Sequence, residues 1–207
     1  MGRWFLVRHG ETDWNVEGRA QGQMHVPLNK KGLAQAEAIA TRLQPMRFAA
    51  VYASDLRRVT QTAEPIMRGR DVPLVTLPAL RERGFGEWEG LIFTEMEARD
   101  PERYASLFSG DDTSATPGGE SERQLYERVA AGVHDLLERH GSDDGDLLVV
   151  AHGGSLSAAV VRLLELPSRS IERFSFDNCG LSIVTVHEGG FAALNLLNDT
   201  NHLGSGP

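Results

Sequence analysis

Apolar positions along this 207-residue chain fall into two kinds of run. Short, almost unbroken ones occupy Trp4 to Arg8, Ala50 to Ala53 and Leu147 to Ala151, as strands do when both faces of a parallel sheet are covered. Longer segments repeat at helical spacing. Leu33, Ala36, Ala40 and Leu43 predict a helix over about Gly32 to Gln44, which Pro45 stops. A helix from about Asp55 must shorten or kink at Pro65. Leu125, Val129, Val133, Leu136 and Leu137 mark one face of a long helix, opened by the capping box Ser121-x-x-Gln124 and ended by Gly141. Another helix covers roughly Ser155 to Glu165, ahead of Pro167.

Weaker signals fill the gaps. Val72 to Leu77, bounded by Pro73 and Pro78, reads as an edge strand. Thr94-x-x-Glu97 reads as the capping box of a short helix. Leu181 to His187 and Phe191 to Leu196 read as a hairpin around Glu188-Gly189-Gly190. Gly10 to Asn29 and Leu80 to Gly90 have no clean period, Ser109 to Gly119 is expected to be mobile, and Leu203 to Pro207 to fray. Alternating strands and helices predict an α/β fold, a mostly parallel sheet with helices on both faces and one antiparallel strand. The length suits one domain, 1–207, with a mobile cap or insert at about 91–120.

That topology gathers chemistry. Ligands of an open parallel sheet bind beyond the carboxyl ends of its strands. Those ends carry Arg8-His9, Ser54 to Arg58, Arg81 to Arg83 and His152, so two histidines, several arginines and a glutamate are expected along one edge. A unit charge pair at ~4 Å is worth roughly 4 kcal/mol at an effective dielectric of about 20, before desolvation. Arg8, Arg58 and a protonated His152 would then hold a phosphate monoester without metal, helped by backbone N–H groups of the helix near Ser155. A neutral imidazole attacks phosphorus in line when its other ring nitrogen keeps a proton. A carboxyl group with a raised pKa would protonate the leaving alkoxide and later activate water. Glu82, Glu87 and Glu89 are all near enough in sequence, and spacing does not choose among them.

Composition narrows the partners. A net charge of −8 argues against a general nucleic-acid or anionic-membrane binder, so the expected partner is a small-molecule phosphate ester. No apolar run approaches the ~18 residues of a membrane span, and nothing resembles a signal peptide, so a cytoplasmic location is expected. The single cysteine, Cys179, excludes an intramolecular disulfide and reads as a small core residue. His25, His134, His140 and His187 lack metal-ligand spacing, and no Walker-type glycine loop occurs. Neither a metal nor a cofactor is expected.

The motif Arg8-His9-Gly10-Glu11-Thr12, with Gly153 after His152, resembles the histidine phosphatase superfamily, which also contains cofactor-dependent phosphoglycerate mutases. The resemblance covers nearly the whole chain. It includes Trp14-Asn15, Gln21-Gly22, Ser54-x-Leu56-x-Arg58-x-x-Gln61-Thr62-Ala63, Leu80-Arg81-Glu82, Gly86-x-Trp88-Glu89-Gly90, Pro117-Gly118-Gly119-Glu120-Ser121 and Asn198-Asp199-Thr200-x-His202-Leu203. Val59 departs from the usual alanine, a packing change only. The resemblance implies a three-layer α/β/α sandwich of phosphoglycerate mutase-like fold and a homodimer as a possible assembly. It implies His9 as the phosphorylated nucleophile, Arg8, Arg58 and His152 as the phosphoryl grip, and Glu82 as acid and base. Asn15, Gln21 and Gly153 would assist at the phosphate.

The resulting expectation is a metal-independent phosphomonoesterase acting through a phosphohistidine. A phosphoglycerate mutase is the nearest rival, disfavoured by the short chain and by Glu82 lying in a short Gly-x-Trp-Glu-Gly loop. A non-catalytic phospholigand binder would need the arginines but neither nucleophile nor acid. Sugar phosphates, phosphoglycerate derivatives, phosphoserine and ribazole phosphate all stay open as substrates.

Overall fold

The computed structural model describes residues 2–107, 109–140, 145–187 and 191–204. The expected helix end at Gly141, the Glu188-Gly189-Gly190 turn and the tail 205–207 lie outside them. The elements run β1 (Gly2–Arg8), α1 (Asp13–Val16), α2 (Lys30–Leu43), β2 (Ala50–Ala53), α3 (Arg57–Met67), β3 (Leu74–Thr76), α4 (Phe93–Arg99), α5 (Pro101–Leu107), α6 (Glu122–His140), β4 (Leu147–Ala151), α7 (Gly153–Leu163), β5 (Leu181–Val186) and β6 (Ala192–Asp199). Short 3-10 turns occupy Pro78–Leu80, Gly86–Trp88, Ser168–Arg173 and Asn201–Leu203.

The strands form one sheet in the order β3-β2-β4-β1-β5-β6. β3, β2, β4 and β1 pair in parallel, while β5 is antiparallel to both β1 and β6. Only β5 therefore runs against the rest, as the α/β reading requires. Alternate residues of each inner strand face opposite layers. Trp4, Leu6, Leu147 and Val149 pack with Leu125, Val129 and Val133 of α6 and Leu156 and Val160 of α7. Phe5, Val7, Leu148 and Val150 pack with Ile39 and Leu43 of α2 and Val59 and Ala63 of α3. Each such fully buried side chain contributes about 1.5–3 kcal/mol, which is why these strands are apolar without a break. Among the described residues no helix is long and apolar enough to cross a membrane.

Several boundaries differ from expectation, each for a local reason. The Asn29 side chain accepts from the Gly32 N–H at 2.8 Å and starts α2 early, so the buried stripe is Gly32, Ala36, Ile39 and Leu43. Leu33 faces solvent, 47% exposed. Thr94 is not a cap: it lies inside α4, whose Ile92 N–H donates to the Glu95 carboxylate at 2.9 Å. Pro65 lies inside α3, which ends two residues later at Met67, the shortening expected of it. The Ser121–Gln124 box does form, with bonds of 2.8 and 3.2 Å. The loop Gly10 to Asn29 contains α1, nucleated by reciprocal Thr12–Asn15 bonds at 3.1 Å. Helix α5 and the 168–173 turn are too short to show a period.

Candidate active site

β1 and β4 are neighbours in the sheet, and the chain leaves them in opposite directions, to β2 and to β5. Their carboxyl ends therefore mark the point where ligands enter such a fold. His9 follows β1 and His152 follows β4, with ring centroids 5.2 Å apart at 64°. Ser54, at the end of β2, lies 2.9 Å from His152 Nε2. Above them opens a cavity of about 320 Å³ lined by Arg8, His9, Asn15, Gln21, Arg58, Glu82 and others. It also holds Arg19, Arg83 and Glu122, so four arginines face two glutamates inside a chain of net charge −8. A larger groove beside Arg70 has none of this chemistry, because the Arg70 guanidinium is spent on the carbonyls of Ile66, Met46 and Leu43.

His9 is held in one tautomer. Its Nδ1 lies 2.7 Å from the Gly10 carbonyl and so keeps the proton, while Nε2 accepts from Arg58 Nε at 3.3 Å. Burial, followed by the charges of Arg58 and Arg8, holds its pKa well below the usual histidine value. The ring therefore stays neutral, with its Nε2 lone pair turned to Arg58 at the cavity rather than protonated. Arg58 is wholly buried on α3 and donates to the carbonyls of Met24 and Gly22 at 2.8 Å each, whereas Arg57 beside it is exposed. Burial pushes its pKa down to about 10, still cationic at neutral pH.

Glu82 is the only one of the three candidate glutamates at the cavity. Glu87 pairs with Arg99 at 3.1 Å, and the Glu89 carboxylate accepts from the Gln23 and Phe85 N–H groups. One Glu82 oxygen accepts from the Arg83 N–H at 3.0 Å, the other from the Gly154 N–H at 3.1 Å. The Gly154 amide in the first turn of α7 thus holds this carboxylate rather than standing free for phosphate. A Cβ at position 154 would lie 2.4 Å from Glu82 Oε1, so a larger residue there would push the carboxylate aside.

One expectation needs correction, that for Gly153. In the ligand-free site burial and then the Arg58 charge hold the His152 pKa well below the ordinary histidine value. Its Nε2 lies 2.9 Å from the Ser54 hydroxyl, and its Nδ1 is buried with no partner among the described residues. Gly153 does not line the cavity; Gly154 does, with Gly153 set against the Arg8 stem. Asn15 and Gln21 are where expected. Asn15 Oδ1 accepts from the Thr12 N–H and hydroxyl at 3.1 Å each, and Gln21 Oε1 and Arg8 Nε are buried without a partner among the described residues. Arg83 lines the cavity as well, within the expected strand-end group Arg81 to Arg83, while Arg19, Gly22, Phe85, Glu122, Leu125 and Ile171 complete the lining without having been named as site residues. Trp14 packs on Gly90 and Trp88 is buried, as loop-packing residues.

Two buried neutral imidazoles make stability pH-dependent. Unfolded histidines titrate near about 6.5, and both folded values lie lower, so below that pH the unfolded chain binds more protons. Stability from this source is complete above about pH 6.5 and declines by up to about 1.4 kcal/mol per pH unit for each histidine as pH falls further. The melting temperature, followed calorimetrically, is expected to drop from neutral to mildly acidic buffer. A constant value would contradict neutral rings.

The model of the histidine phosphatase superfamily (branch 1) matches residues 4–200. The adenosylcobalamin/alpha-ribazole phosphatase of Salmonella typhimurium is 37% identical over 196 residues, 95% of this chain and 96% of that protein. The metal-independent phosphoserine phosphatase of Arabidopsis thaliana is 36% identical over 203 residues, 97% of this chain and 82% of the relative. Among solved structures, the alpha-ribazole phosphatase of Shigella flexneri superposes with a TM-score of 0.89 at 31% identity, covering 95% of this chain and 96% of its own.

Proposed function

The chain belongs to branch 1 of the histidine phosphatase superfamily and is a phosphomonoesterase, and on that premise we propose that it works through a phosphohistidine at His9. The observation that carries this reading is the fixed tautomer: Nδ1–H on the Gly10 carbonyl, Nε2 facing Arg58 in a buried cationic cavity. In the first step Nε2 bonds to phosphorus as the ester P–O bond breaks, and Glu82 gives its proton to the departing oxygen. Glu82 then takes a proton from water, which attacks phosphorus and frees His9. Arg8, Arg58 and His152 would bind the phosphoryl oxygens: Arg8 Nε and His152 Nδ1 are buried with no partner among the described residues, and Nδ1 would be a donor in the tautomer whose Nε2 accepts from Ser54. Such atoms are costly unless something satisfies them. Asn15 would donate from its amide nitrogen, its oxygen being engaged by Thr12.

The substrate is a small ester, given the cavity of about 320 Å³. The relatives' alpha-ribazole phosphate and phosphoserine are candidates. We read 1–207 as one catalytic domain in which about 91–120 flanks the leaving-group side. Arg83 supports this by donating to the carbonyls of Ser114 and Glu120 at 2.9 and 2.8 Å. A cytoplasmic setting suits the single, unpaired Cys179. The test is turnover of p-nitrophenyl phosphate with and without EDTA, from mildly acidic to alkaline pH. Equal rates in both buffers are expected, and on rapid acid-free quenching a phosphoenzyme that acid destroys and base preserves. No turnover at any pH, or loss of activity in EDTA, would overturn the reading. A mutase assay with 3-phosphoglycerate, run alongside, should give hydrolysis rather than isomerisation.

A further inference from the structure

The motif Asn198-Asp199-Thr200-x-His202-Leu203 has no part in the chemistry above, yet its first residue reaches the nucleophile through consecutive hydrogen bonds. Asn198, near the end of β6, adopts the left-handed conformation with φ 51°. Its Oδ1 accepts from the Asp177 N–H at 2.7 Å, and its Nδ2 donates to the Asp177 carboxylate at 2.9 Å. Its own N–H donates to Ser182 Oγ at 2.8 Å. A Cβ on Gly180 would stand 2.2 Å from Asn198 Oδ1, so glycine makes room for this amide. The turn 177–180 is closed by Gly180 N–H to the Asp177 carbonyl at 2.9 Å, and Cys179 within it also has a positive φ, 56°. Two non-glycine residues in this region persist only where their surroundings hold them, and such places cluster at functional sites.

The turn holds the end of β1. Asn178 Nδ2 donates to the His9 carbonyl at 3.0 Å and to Asn15 Oδ1 at 3.4 Å. The Cys179 N–H donates to the Arg8 and His9 carbonyls at 3.0 and 3.3 Å, and the Arg8 guanidinium donates back to the Phe176 carbonyl. The next amide is held from the far side, where the Gly10 N–H donates to Thr62 Oγ at 3.0 Å. The His9–Gly10 peptide is thus gripped at its carbonyl by Asn178 and at its N–H by Thr62. That peptide sets the Gly10 carbonyl that receives His9 Nδ1–H.

We infer that Asn178, locked by Asn198 through Asp177, is a positioning residue whose side-chain N–H fixes the peptide that orients the His9 imidazole. It acts through His9 and does not line the cavity. The inference rests on the reading of His9 as nucleophile.

The test uses Asn178→Ala, Asn178→Asp, Asn198→Asp and the double change Asp177→Asn with Asn198→Asp, each in the full chain. Aspartate at 178 keeps the size of the side chain but removes the donor. Both 178 variants are expected to lower kcat for p-nitrophenyl phosphate about 10- to 100-fold, the scale of a misplaced catalytic group. Inhibition by inorganic phosphate should change less than about threefold, because Thr12 still holds Asn15. Asn198→Asp sets two carboxylates against each other and should lower kcat likewise; the double change restores a donor–acceptor pair and should recover it. Asn178→Asp with kcat within about threefold of the parent would overturn the inference. So would kcat and phosphate affinity falling together with the melting temperature, which marks a folding role. An inactive parent protein would instead strike the phosphohistidine reading itself.

Discussion

Replacing His9 by alanine is expected to abolish turnover, by about 10⁴-fold or more, the scale at which loss of an activated nucleophile acts. The size of the effect follows from what the change leaves behind. Arg8, Arg58, Asn15 and His152 still offer charge and donors to a phosphoryl group, so inorganic phosphate should bind within about tenfold of the parent affinity. Without Nε2 there is no atom for phosphorus to bond to, and water would have to attack directly from a site shaped for imidazole. His9 is buried, 3% exposed, yet among the described residues its ring hydrogen-bonds to Gly10 and Arg58 alone. The strand that carries it is held by β4 and β5 on either side. The circular dichroism spectrum should therefore match the parent's. Steady-state rates with p-nitrophenyl phosphate and radiolabel incorporation from a phosphate ester check the point. Retained label or retained turnover would remove His9 as the nucleophile.

Glu82→Gln should show the second-largest loss, and its signature is dependence on the leaving group. A positioned general acid contributes about 10²–10⁴-fold. An alkyl ester needs that proton, because an alkoxide is a poor leaving group; p-nitrophenolate departs without help. The variant should thus lose most of its activity on an alkyl phosphate and much less on p-nitrophenyl phosphate, provided release from His9 is not limiting. Glutamine keeps one acceptor for the Arg83 and Gly154 N–H groups and turns the other oxygen into a donor facing one of them. Some loss will come from that clash, so the ratio between the two esters carries the test. Equal losses on both would assign Glu82 to the scaffold rather than to proton transfer.

Much of the layered architecture is written locally. β2 and β4 begin and end where the apolar runs do, because a strand covered on both faces tolerates no polar residue. The amphipathic stripe of α6 is equally plain, since Leu125, Val129, Val133 and Leu136 recur on one face. The cap of α4 and the orientation of Leu33 depart from the local pattern, because neither a capping sequence nor one apolar residue says which neighbour it meets. Thr94 satisfies a sequence pattern, but the bond from the Ile92 N–H to Glu95 starts the helix two residues earlier.

The site divides in the same way. Arg8, His9, Arg58 and His152 sit at ends of elements whose period is visible, and Glu82 lies in an aperiodic loop that the motif marks, so topology and motif together point to them. Arg19, Glu122, Leu125 and Ile171 reach the cavity from a loop, from α6 and from a short 3-10 turn. Nothing within a few residues of each announces it. Spacing alone left Glu82, Glu87 and Glu89 open and only the motif pointed to Glu82; in the structure Arg99 and two backbone amides take the other two.

The amino-acid sequence by itself determined the α/β order, the two strand-end histidines and the arginine helix, because periodicity and short-range bonds act over a few residues. The tertiary structure alone decided the charge state of His152, the anchoring of Glu82 by α7, the tautomer of His9 and the clamp from Asn198 through Asn178. Each of these depends on burial or on a hydrogen bond between groups far apart in the chain, and neither quantity exists until the layers have closed on one another.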